Sequence, residues 1–141
     1  MKPTIHKGGI HQDERGTLQF FNEFDMSKVK RMYHTTHADT ETIRAWMGHK
    51  IEARWFFCTC GRFKVKTVAI DFNTLSPAGE VQECILSVEN AEVLHIPAGF
   101  ASGFQALSPS SSLLIMSDYH FGEVDDSYKL STDEFLEWTQ S

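Results

Sequence analysis

Between Ile96 and His120 the chain makes two turns around one short apolar run, and this stretch constrains the fold more than any other. It opens as Ile96-Pro-Ala-Gly-Phe-Ala-Ser-Gly-Phe104, passes through a turn rich in serine and proline, and then reads Leu113-Leu-Ile-Met116 before Ser117-Asp-Tyr-His120. Pro97 pre-sets φ ahead of the first turn, and Gly99 frees the backbone within it. An apolar run this short, bounded by turn signals, suits a buried strand. Continued strand geometry would put Asp118 and His120 on one face and Tyr119 on the other. A carboxylate and an imidazole would then stand at the end of a buried strand, as in the wall of a polar pocket.

The rest of the chain repeats the same grammar. Residues 1–12 read as an edge strand or arm, and Asp13-Glu-Arg-Gly16 as a turn. Lys30 to Thr36 alternates, with Met32, His34 and Thr36 on one face and Arg31, Tyr33 and Thr35 on the other. A polar loop follows from Ala38 to Thr42, then extended segments from Ile43 to His49 and from Ala53 to Cys60. From Phe63 the residues Phe63, Val65, Thr67 and Ala69 alternate with Lys64, Lys66, Val68 and Ile70. Strands are expected again over Val81–Ser87 and Ala91–Ile96. Ser131-Thr-Asp-Glu134 has the form of a helix cap, with Phe135 and Trp138 at helical spacing behind it. Short strands at regular intervals with one late helix predict an all-β sandwich or barrel. Residues 1–141 carry no internal repeat or linker and read as one domain. Eleven Phe and three Trp supply ample bulk for its core.

The net charge of −6 argues against a nucleic-acid-binding surface. No apolar run approaches the roughly 18 residues of a membrane helix, and Met-Lys-Pro-Thr-Ile-His lacks the apolar region of a signal peptide. A cytoplasmic protein is expected. Cys58, Cys60 and Cys84 are an odd set that suits reduced thiols. Cys58-Thr-Cys60 lacks the knuckle spacing of a zinc site and reads as small buried side chains.

Three stretches together resemble two related groups of enzymes. Ile96-Pro-Ala-Gly-Phe-Ala-Ser-Gly-Phe104 and Ser117-Asp-Tyr-His120 are similar to segments of the epimerases that act on dTDP-4-keto-6-deoxyglucose at C3 and C5. Lys30-Arg-Met-Tyr33, then Arg44-Ala-Trp-Met-Gly-His49 and Gly61, look closer to the 3,4-ketoisomerases of dTDP-sugars. Asp13-Glu-Arg-Gly16 is similar to a turn near the start of both. The resemblance spans about residues 10–125. It implies a cupin-like jelly roll (a double-stranded β-helix), here with a short C-terminal helix. It also implies a homodimer with exchanged strands, a nucleotide-sugar ligand and no cofactor.

The departures bear on chemistry. The first histidine of the family's Arg-Gly-x-His segment is Met47 here, and a thioether cannot move a proton. The second survives as His49. The epimerases' catalytic tyrosine falls at His120, the histidine of their Ala-His-Gly-Phe turn at Ser102, and the aspartate that orients their base lies beyond the end of this chain. The resemblance therefore implies His49 and His120 as the acid–base pair, histidine being suited by a pKa near neutrality. Arg44 and Arg54 would hold enolate or phosphate oxygens, and Arg15 the diphosphate. His34 and Thr36 would contact the sugar, with Met47, Ser102 and Asp118 completing the wall. Bland readings stand beside these. Arg15 reads equally as tying its own turn, and Arg44 and Arg54 as pairing with a carboxylate such as Glu52 or Asp118. His6, His11, His37 and His95 read as structural or solvated. No metal is expected, because the cupin set of histidines and glutamate is reduced to His49. Two functions follow: an isomerase of a dTDP-4-keto-6-deoxyhexose in deoxysugar and surface-polysaccharide synthesis, or a sugar- or nucleotide-sugar-binding cupin that has lost its base.

Overall fold

A computed structural model describes residues 1–138. Among them are thirteen strands and no helix. In chain order the strands are β1 (Thr4–Lys7), β2 (Gly9–Asp13), β3 (Gly16–Phe20), β4 (Arg31–His37), β5 (Ile43–His49), β6 (Arg54–Cys60), β7 (Arg62–Asp71), β8 (Ser76–Pro77), β9 (Gln82–Ser87), β10 (Glu92–Ile96), β11 (Phe100–Ala106), β12 (Ser111–Ser117) and β13 (Tyr128–Lys129). One sheet has the order β1-β10-β6-β12-β4. The other has the order β13-β5-β11-β7-β8, with β9 also paired to β7, and β2 and β3 form a separate hairpin.

Alternation decides what each sheet turns inward. Phe56 and Cys58 of β6, Leu94 and Ile96 of β10, and Leu113 and Ile115 of β12 meet Phe63 and Val65 of β7, Leu86 of β9, and Phe104 and Ala106 of β11 in the core between the sheets. The intervening residues face outward and are covered by the chain's own segments. Trp55 and Met116 lie beneath Phe21, Phe24 and Val29, while Trp46, Val68 and Ala101 lie beneath Leu130, Phe135 and Trp138. The ammonium of Lys66 stands 4.8 Å from the Trp138 ring on that second outer face. The register of β11 against β5 shifts between Ser102 and Phe104. Gly103 is required there, because a Cβ would lie 2.5 Å from the Ala45 Cβ.

Three local expectations are corrected. The helix expected over Ser131–Trp138 is a single turn. Ser131 Oγ accepts the N–H groups of Asp133 and Glu134, and Phe135 N–H donates to the Ser131 carbonyl at 2.9 Å. So short a segment gains little from helix propagation. Instead it spreads over the sheet, where the Leu136 carbonyl accepts the Trp46 indole N–H at 2.7 Å. Strand geometry also stops at Ser117, because Asp118 turns to accept the Ala53 N–H at 2.9 Å. Cys58 and Cys60 do not share an environment: Cys58 is buried and Cys60 exposed. Burial pushes the Cys58 thiol up to about 11, which opposes the thiolate a metal would need.

Candidate active site

The inward faces of β4, β5, β6, β11 and β12 become polar at one end of the barrel, around a cavity of 630 Å³. Met47 and His49 of β5, Arg54 of β6 and Ser102 of β11 line it, on the same faces that carry Phe56, Phe104 and Ile115 deeper in. Period-two alternation thus places the site: these positions point inward for the same reason the core does. Arg44, Tyr33, Thr35 and Lys129 contribute to the lining as well.

A buried polar network forms the inner wall. The loop after β5 wraps around the Asp126 carboxylate, which accepts the N–H groups of Lys50, Ile51 and Glu52 at 2.9, 2.8 and 2.8 Å. The carbonyl of the same Asp126 lies 3.2 Å from His49 Nδ1. A carbonyl can only accept, so Nδ1 carries the proton and the neutral ring keeps its lone pair on Nε2. Burial first, and then the Arg54 charge, hold the His49 pKa below its ordinary value. The imidazole is therefore a base at neutral pH. Glu52 Oε2 stands 3.7 Å from the same Nδ1.

Glu52 anchors the arginines. Its Oε1 accepts from Ser117 Oγ at 3.0 Å and pairs with Arg54 Nη1 at 3.3 Å and Arg31 Nη2 at 3.4 Å. Arg54 Nη1 also donates to Ser117 Oγ and to the Ala53 carbonyl. These bonds all use one nitrogen of Arg54, which leaves its other donors for a ligand oxygen. His49, Glu52 and Asp126 bring potential ligand atoms within 4.8 Å of one another. They nevertheless do not fit a cation: the Asp126 oxygens are taken by three N–H groups, and Glu52 is held by two guanidinium groups.

The structure brings Arg44, Met47, His49, Arg54 and Ser102 together around the cavity, and it places the other expected residues elsewhere. His34 and Thr36 lie on the opposite face of β4. His34 Nε2 meets Thr59 Oγ1 at 2.8 Å, and Tyr33 and Thr35 take the cavity face instead. Asp118 is occupied by the Ala53 N–H. His120 is exposed beyond the end of β12, its N–H directed to Glu123 Oε1 at 3.3 Å. A side chain past the Ser117 bend loses the strand parity that would have turned it inward. Arg15 is exposed and forms an ion pair with Asp13 of its own turn at 2.6 Å. Of the two carboxylates weighed for Arg54, Glu52 is the partner; Arg44 instead donates its Nε–H to His37.

The family model described as dTDP-4-dehydrorhamnose 3,5-epimerase matches residues 4–140. No curated protein matches by sequence. Among solved structures, a dTDP-4-dehydrorhamnose 3,5-epimerase of Bacillus anthracis, with TDP and PPi bound, is similar at 18% identity and a TM-score of 0.75, over 91% of this chain and 78% of that one. The rmlC epimerase of Mycobacterium tuberculosis is similar at 14% identity and a TM-score of 0.74, over 92% of this chain and 68% of its own. A mutant 3,4-ketoisomerase of Thermoanaerobacterium thermosaccharolyticum, in complex with TDP-4-keto-6-deoxyglucose, is similar at 19% identity and a TM-score of 0.72, over 96% and 98%. The two curled antiparallel sheets are the cupin-like jelly roll of these proteins. With its family model matched over nearly the whole length, the chain belongs to the dTDP-4-dehydrorhamnose 3,5-epimerase family.

Proposed function

We infer that the protein is an isomerase of a dTDP-linked 4-keto-6-deoxyhexose, working in the cytoplasm in deoxysugar and surface-polysaccharide synthesis. The observation that carries this reading is His49: a buried imidazole, oriented through Nδ1, beside an arginine in the cavity wall of a chain from this family. His49 Nε2 would remove the C3 proton next to the C4 ketone, with Arg54 holding the enolate oxygen. The proton would return to C4 while the C3 hydroxyl proton moved to the C4 oxygen. His49 is the one imidazole lining the cavity among the described residues. A single base working on one ring face suits this exchange of ketone and hydroxyl better than epimerisation, which needs an acid on the opposite face.

Calorimetric titration with dTDP tests the ligand class. Saturable binding is expected at one site per chain, with a dissociation constant between about 1 μM and 1 mM. An absence of heat at several millimolar dTDP would remove the nucleotide-sugar reading.

The same reading makes the protein a homodimer. The β2–β3 hairpin pairs with no other strand among the described residues and exposes Ile10, Leu18 and Phe20. An isolated two-stranded ribbon with apolar side chains on the surface is marginal alone. Light scattering should give twice the 16.1 kDa chain mass. A monomer at micromolar concentration would count against the dimer and leave the cavity chemistry untouched.

A further inference from the structure

Behind the cavity-lining Arg44 lies a buried histidine, His37, that does not itself line the cavity. His37 ends β4 in one sheet, and Arg44 lies in β5 of the other. Arg44 Nε donates to His37 Nε2 at 3.1 Å, so this bond spans the two sheets. The intervening loop is fixed. Asp39 Oδ1 accepts the N–H groups of Glu41 and Thr42, each at 3.0 Å, and the Thr40 carbonyl accepts from the Gln105 side chain at 2.8 Å.

The His37 ring lies between Phe63 and Phe104, with centroids 5.4 and 5.6 Å away, and only 4% of the residue is exposed. Because Nε2 accepts, the neutral ring carries its proton on Nδ1, and that buried N–H has no partner among the described residues. An apolar side chain would fill the same space without stranding a donor. Burial, followed by the Arg44 charge, keeps the ring neutral at neutral pH and its acceptor intact. Among the described residues, no carboxylate lies within ion-pair distance of Arg44. With Nε committed to His37, the terminal nitrogens of this cavity-lining guanidinium remain as a two-pronged donor.

We propose that His37 is a positioning residue for the anion site: it fixes the Arg44 guanidinium in the cavity wall so that the terminal nitrogens grip a ligand oxyanion. The proposal rests on the nucleotide-sugar reading for the identity of that ligand and on the geometry alone for the pairing.

The test uses dTDP and inorganic pyrophosphate as probes of the full chain. His37→Phe should bind dTDP about tenfold more weakly than wild type, as should Arg44→Met. The double variant should be no weaker than Arg44→Met, because both changes remove one unit. His37→Gln, whose amide oxygen can still accept the Nε–H, should recover most of the affinity; a merely structural role would give no such ordering. Nitrogen-15 NMR of the wild-type protein should show His37 with its proton on Nδ1, a readout that requires no variant to fold. Unchanged affinity in His37→Phe, additive losses in the double variant, or a proton on Nε2 would each overturn the proposal. Pyrophosphate binding that is weakened in His37→Phe, in a protein that ignores dTDP, would sustain the pairing while removing the nucleotide reading. Failure to bind either probe would remove both.

Discussion

Replacing His49 with Asn is expected to slow proton transfer from the 4-keto sugar by about a thousandfold while leaving the fold intact. The Asn amide nitrogen can occupy the place of Nδ1 and donate to the Asp126 carbonyl, so the loop after β5 keeps its anchor. What disappears is Nε2, the lone pair free to take a proton. The pH dependence follows from the same environment. Burial and Arg54 hold the His49 pKa below its ordinary value of 6.5, so the base form persists through neutrality and the wild-type rate falls only in acid. Deuterium incorporation followed by NMR measures both effects. A His49→Asn rate within a few-fold of wild type would take this residue out of the chemistry.

The largest loss of stability is expected at Glu52. Glu52→Ala should cost about 4 kcal/mol, because Arg54 and Arg31 would face each other and His49 without their shared carboxylate. Arg54 is only 4% exposed, so its charge left without that carboxylate would be costly. Glu52→Gln keeps an acceptor for Ser117 and Arg54 but loses the charge, so about half that cost is expected. Burial pushes the Glu52 carboxyl up, but the Arg54 charge and the hydrogen bonds from Ser117 and Arg54 together outweigh it, and the net pKa lies below 4.5. A depressed carboxylate contributes its full stabilisation above the unfolded value and loses it as pH falls through the folded one. The gap in urea midpoint between wild type and Glu52→Gln should therefore be constant near neutrality and shrink below about pH 4.5. A gap that does not depend on pH would mean that the carboxylate charge is not what holds the arginines.

Strand order along the chain was legible because alternation reports burial directly. Leu113–Met116 is the buried strand its composition predicts, and Lys64 and Lys66 take the outer face that their alternation with Val65 assigns. Arg54, His49 and Ser102 came from the resemblance, and the structure has them lining the cavity. For β4 the alternation was right, but the resemblance chose the wrong face, giving His34 and Thr36 in place of Tyr33 and Thr35. A shift of one residue reverses every side chain in a strand. His120 failed for a nonlocal reason: the Ala53 N–H, far away in sequence, captures Asp118 and ends the strand. Asp126 was invisible because it acts mainly on backbone groups seventy-odd residues away, which no local pattern encodes. Glu52 was visible only as one of two possible partners for an arginine; spatial proximity selected it.

On the reading proposed here, His49 moves protons in this cavity although Met47 stands where the resemblance implies a histidine. Proton NMR of the wild-type protein with dTDP-4-keto-6-deoxyglucose in deuterated water tests it most directly, with His49→Asn alongside. Loss of the C3 proton signal with wild type, and its retention with His49→Asn, is the predicted result. C3 and C5 signals that both persist in the presence of wild-type protein, with dTDP still bound by titration, would contradict the claim and leave a cupin that binds nucleotide sugars without transforming them.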